Sequence, residues 1–166
     1  MLVRMAKTQQ LQIRVTPEQK AALARRARQA GQDVSSYVLS RALPAAALHF
    51  GEILSALGEA DRRRFALAEL SDLLNELAPR ELAEVTGDAD LRGLSPYVQN
   101  YVAAMIELAA HRKGVGAPGW VREVPPLEEP HFATPLEGLR LHLLQVSPVP
   151  FKRRNIFIDS SLGDRV

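Results

Sequence analysis

Polar and apolar residues alternate over residues 9–16, with Leu11, Ile13 and Val15 on one side and Gln10, Gln12 and Arg14 on the other. A period of two predicts a strand with one buried face. Thr16, Pro17 and Gln19 follow as an N-cap, a proline at the first helical position and a capping-box partner three residues after the cap. The helix they open is expected to stop at Gly31, with Leu23, Ala27 and Ala30 on one face. Asp33 then caps a second helix over residues 34–43, striped by Val34, Tyr37, Val38 and Ala42. Pro44 ends that helix or begins the next.

Beyond residue 45 the period lengthens to that of helices. Residues 46–58 predict one helix, and residues 60–78 another with Ala66, Leu70, Leu73 and Leu77 as its seam, ended by Pro79. A short helix over residues 80–85 and a polar turn precede Ser95-Pro96. From there a long helix is expected to about Lys113, striped by Tyr97, Val98, Tyr101, Val102, Met105, Ile106 and Ala109. Residues 114–135 are rich in proline and glycine, with Trp120 and Phe132 as isolated anchors. Thr134-Pro135-Leu136-Glu137 has the spacing to open one more short helix, and Asn155 to Asp159 predicts a strand.

A lone N-terminal strand would expose unpaired backbone on both edges and leave three apolar side chains half covered. Antiparallel pairing with the same strand of a second copy solves both problems, so the head is expected to be an intertwined homodimer. The expected fold is mainly α. A ribbon-helix-helix head (residues 1–44, one short strand and two helices) precedes a helical domain (45–113) and an extended Pro-rich segment (114–166).

Charge sharpens the division. Residues 1–49 carry eight Lys/Arg against Glu18 and Asp33, giving +6; residues 50–113 carry seven against eleven, giving −4; residues 114–166 carry six of each. A basic head on a neutral-to-acidic body predicts a polyanion partner for the head. The chain has 166 residues, 46% of them hydrophobic and 24% charged, a globular composition. It lacks cysteine, which excludes disulfides and thiolate metal sites. No apolar run is long enough for a signal peptide or a membrane span, so a cytoplasmic protein without membrane contact is expected.

The strand, the Thr16-Pro17-Glu18 helix start, Gly31 and the cap two residues later resemble the ribbon-helix-helix repressors of the Arc/MetJ type, most closely their bacterial antitoxin branch. The resemblance covers about 35 residues. It implies a two-stranded ribbon in the major groove, with Gln10, Gln12 and Arg14 facing base edges, Ser35 at a phosphate, and Lys7 (with Arg4) on the flanking backbone. Asp33 stands where the family commonly has serine, which places a carboxylate near DNA phosphate. More loosely, residues 116–160 resemble tails of uncharacterised bacterial proteins that accompany nucleotidyltransferase-like toxins. That resemblance makes Trp120, Phe132, Phe151, Arg153, Arg154 and Phe157 candidate partner-binding residues.

Other patterns carry less. Residues 114–119 spell GxGxxG, but a helix precedes them and Pro118 interrupts them, so a helix end running into a loop is expected. His49, His111, His131 and His142 are scattered without ligand spacing, so no metal, cofactor or catalytic site is expected. The resulting expectation is a non-enzymatic antitoxin-type repressor that binds operator DNA and neutralises a toxin, with a stand-alone ribbon-helix-helix regulator bearing a sensing or oligomerisation domain as the alternative. A third reading makes the body an enzyme, with His111, His131 or His142 in a pocket.

Overall fold

The structure, a computed structural model, describes residues 12–42 and 45–159. It is mainly helical: eight α-helices, two 3-10 turns and one two-stranded sheet lie among the described residues. By backbone contacts the chain divides into two compact units, residues 1–43 and 44–166.

In the N-terminal unit, α1 (Pro17–Gln29) and α2 (Val34–Ala42) form a helical hairpin. Both ends of α1 follow from local chemistry. The Thr16 hydroxyl accepts from the Gln19 amide (3.3 Å) while Gln19 Oε1 accepts from the Thr16 amide (2.9 Å), so two otherwise unpaired donors are satisfied reciprocally. At the other end Gly31 takes φ +65°, and the Gln32 and Gly31 amides donate to Ala27 and Arg28 carbonyls at 3.0 and 3.1 Å. This is a Schellman cap, whose left-handed residue favours glycine. Ala27 and Tyr37 are the buried residues of the two helices.

In the second unit, α3 (Ala45–Leu57) packs on α4 (Arg63–Glu76), and α5 (Pro79–Thr86) leads by a polar turn to the long α6 (Pro96–Arg112). The seam expected on α4 is buried: Ala66, Leu70, Leu73 and Leu77 are all below one-tenth exposed. They share one core with Phe50, Ile53 and Leu57 of α3, Leu82 of α5, and Val98, Val102 and Ile106 of α6. Ser95 caps α6 through the Val98 amide (3.4 Å). Gly114 (φ +67°) ends it with a second Schellman cap, Val115 and Gly114 amides donating to Ala110 and His111 carbonyls. The first glycine of the GxGxxG string is therefore a helix cap.

The segment after α6 closes on this core. A 3-10 turn (Gly119–Arg122) is followed by β1 (His131–Phe132), α7 (Arg140–Val146), α8 (Val149–Lys152) and β2 (Ile156–Phe157). β1 and β2 pair in parallel, His131 with Ile156 and Phe132 with Phe157. Phe151, Ile156 and Ile158 cover Ala104 on the far side of α6 as a second cluster. The short helix expected from Thr134 begins later, as a 3-10 turn over Glu137–Leu139 running into α7. The Thr134 hydroxyl accepts from Leu136 instead of capping that helix.

The expected N-terminal strand is not found among the described residues. Gln12 to Thr16 carry no regular secondary structure, and Lys7, Gln10 and Leu11 lie outside the described residues. A strand is defined by its ladder, and residues 12–16 have no ladder partner among the described residues of a single chain.

Candidate nucleic-acid interface

Residues 12–16 lead into α1 with every side chain exposed. Ile13 is 61% and Val15 42% exposed, a costly state for β-branched apolar side chains beside a folded helix. Gln12 and Arg14 alternate with them and are also exposed. Beside this segment runs a shallow groove along α1, floored by Val15, Ala22 and Leu23 and rimmed by Arg14 and Arg26. The unit thus presents an uncovered apolar strip next to cationic side chains.

At the start of α2, Asp33 acts as the cap: its carboxylate accepts from the Ser36 amide (3.0 Å) and hydroxyl (2.6 Å). Those bonds hold the Asp33 carboxyl below its ordinary range, so it is ionised near neutral pH. Ser35 is exposed in the first turn of α2, beside that charge. An anion arriving here meets a helix N-terminus already occupied by a carboxylate. Arg41 lies over the Tyr37 ring at 5.5 Å from its centroid.

The residues expected to bind a partner are largely engaged within the second unit. Trp120 is half-buried and its indole N–H donates to the Thr86 carbonyl at 2.8 Å. Phe132 stacks on Phe157 with centroids 4.8 Å apart. Phe151 is 2% exposed and meets Tyr101 edge-on at 5.2 Å. Arg154 is 6% exposed and donates to Val121 O (2.7 Å), Val124 O, Asn100 Oδ1 and Glu107 Oε2 (3.4 Å each). Arg153 pairs with Glu107 at 3.3 Å from an exposed position. The Pro-rich segment therefore wraps the chain's own helical body. Asn100 and Glu107, which receive Arg154, escaped the sequence reading: they lie 54 and 47 positions away, with no local signal linking them.

No three His, Asp or Glu side chains among the described residues cluster as metal ligands. Nor is any helix among them long and apolar enough to cross a membrane.

A capped helical hairpin preceded by an exposed alternating segment defines the N-terminal unit. Residues 5–81, a little under half of the chain, match the family described as NikA-like: Mobilization protein NikA. The match covers the hairpin and continues through α3 and α4 into α5. No curated protein and no solved structure matches the chain.

This overturns the antitoxin resemblance, both at the head and in the tail: the matching family is one of mobilization proteins. The physical reason is plain. Thr16-Pro17-Glu18, Gly31 and Asp33 encode a capped pair of helices, a local stability solution that says nothing of what the attached body does. Nothing in the match supports a toxin partner, of the nucleotidyltransferase type or any other.

Proposed function

We propose that the chain is a DNA-binding accessory protein of DNA mobilization, acting in the relaxosome of plasmid conjugation or as a regulator of its genes, without a catalytic step of its own. Three things support the reading: similarity of residues 5–81 to a mobilization family, the +6 charge of residues 1–49, and the exposed Ile13 and Val15. The last carries most weight. An apolar strip alternating with Gln12 and Arg14, just before a capped helix, is complete only when a second copy covers it.

In this reading residues 1–44 dimerise through a two-stranded ribbon and bind DNA. Gln10, Gln12 and Arg14 face base edges, where glutamine suits adenine and arginine suits guanine. Lys7 and Ser35 reach phosphates. Residues 45–113 and 114–166 form the body that this head carries to DNA.

Selection of duplexes from a random pool, followed by fluorescence anisotropy on the selected site, tests the proposal. Arg14→Ala is expected to lower affinity for that site by about 10–100-fold, the worth of one bidentate base contact, while light scattering still reports a dimer. Unchanged affinity, or a monomer that binds equally well, rules out the ribbon. A selected site at a transfer origin fits the relaxosome role; one at a promoter fits the regulator.

A further inference from the structure

A recessed cleft of about 550 Å³ opens between α6, the 3-10 turn at Gly119–Arg122, and α8. Its floor is apolar, with Leu108, Val121, Pro148 and Val149, and two guanidinium groups, Arg122 and Arg153, stand in its wall. The size falls within the range of sites that take one ligand or one inserted side chain. Val149 is 58% exposed although it lies in a four-residue helix whose other apolar residues, Pro150 and Phe151, are buried.

The charge of the cleft is set by Glu107. This carboxylate is bound by Arg153 at 3.3 Å and by the buried Arg154 at 3.4 Å, so two cations answer one anion. Arg122 is exposed and forms no ion pair among the described residues. The wall therefore keeps cationic character around an apolar floor. Just ahead in the chain, α7 also exposes Leu141 (68%) and Leu144 (42%).

We propose that this cleft is a docking site for an acidic segment of a partner protein, one that inserts an apolar side chain between Leu108, Val121 and Val149 while its flanking carboxylates meet Arg122 and Arg153. Charge complementarity selects that occupant. A nucleic-acid strand is disfavoured because the apolar floor of Leu108, Val121, Pro148 and Val149 calls for an aliphatic side chain, which nucleic acid lacks. The site is independent of the DNA-binding reading of the head.

The test uses the full chain with methyl-labelled Leu and Val, titrated with a seven-residue peptide bearing one leucine among glutamates. Saturable shifts of the Leu108, Val121 and Val149 methyls are expected, with a dissociation constant of about 1 mM or tighter. The same peptide with lysine for glutamate is expected to leave them unmoved. Val149→Asp and Arg122→Glu, both at exposed positions, each weaken binding at least about tenfold, as expected for loss of a central contact. Absence of shifts with the acidic peptide overturns the proposal, as does equal binding of the lysine peptide. Perturbation of the same methyls by duplex DNA alone would reassign the cleft to nucleic acid.

Discussion

Arg154 donates to Glu107 across 47 residues of sequence, its side chain only 7% exposed, and so fastens the C-terminal segment to the middle of α6. The same guanidinium donates to the Val121 and Val124 carbonyls, while its Nε is buried without a partner. One side chain thus satisfies the backbone of a loop that has no ladder of its own. Arg154→Ala is expected to destabilise the full chain by about 3 kcal/mol, because the Val121 and Val124 carbonyls lose their donor and a buried side chain is removed. Arg154→Lys retains the charge but not the fork, and recovers less than half of that. Urea unfolding followed by Trp120 fluorescence measures both; a loss below about 0.5 kcal/mol for the alanine variant, within the range of ordinary surface changes, would contradict the fastening role.

Asp33 offers a sharper test of the head. A serine can cap α2 equally well, but it removes a negative charge from the helix N-terminus. Asp33→Ser is expected to leave the helicity of the chain unchanged and to tighten duplex binding by about 3–5-fold, near 0.5–1 kcal/mol. Salt titration of both proteins provides the check: weaker binding by the serine variant would place α2 away from the phosphates.

Ile13 and Val15 set a third expectation. Covering both strips in a pair of chains removes four β-branched side chains from water, each worth about 1–2 kcal/mol given that they are only partly exposed at the outset. Ile13→Asp should therefore shift the monomer–dimer midpoint to at least about 100-fold higher concentration. Circular dichroism should still report α1 and α2 as helical, because their caps are local. Sedimentation equilibrium decides the matter; an undisturbed dimer would mean that some other surface holds it together.

Tyr97 governs an alkaline limit. Burial pushes its phenol up to about 12, and burial raises Tyr101 as well. In the unfolded chain tyrosine loses its proton near 10. A group with a raised folded pKa contributes stability that is complete below the unfolded value and is lost as pH rises towards the folded one. Stability should accordingly be flat up to about pH 9 and fall between 10 and about 12. Tyr97→Phe should flatten that fall, with Tyr101 supplying the remainder. Denaturant midpoints at a series of alkaline pH values report the slope.

Much of the fold is written locally. Thr16 with Gln19, Ser95 with Val98, and Gly31 and Gly114 at positive φ declare helix ends within a few residues, and the buried α4 seam declares its face. What escaped depends on partners far along the chain. His131 and Phe132 pair with Ile156 and Phe157 in strands too short to display a period. Arg154 sits in a basic run that reads as a partner-binding surface, and only Asn100, Glu107 and the loop carbonyls around Val121 draw it inside. The head was legible as a capped hairpin after an alternating segment. The likeness to antitoxins is overturned by the mobilization-family match, because the caps that carry it stabilise helices in any family.

Ala104 lies at the middle of α6, yet the residues that shield it, Phe151, Ile156 and Ile158, are made some fifty positions later. A ribosome that has finished α6 therefore holds a helix with one bare side until residues 151–158 have emerged. Shortened products that stop within the proline-rich stretch would keep that side open to water and to proteases. Burial of that side of α6 is thus a property of the pair of segments together and of neither alone.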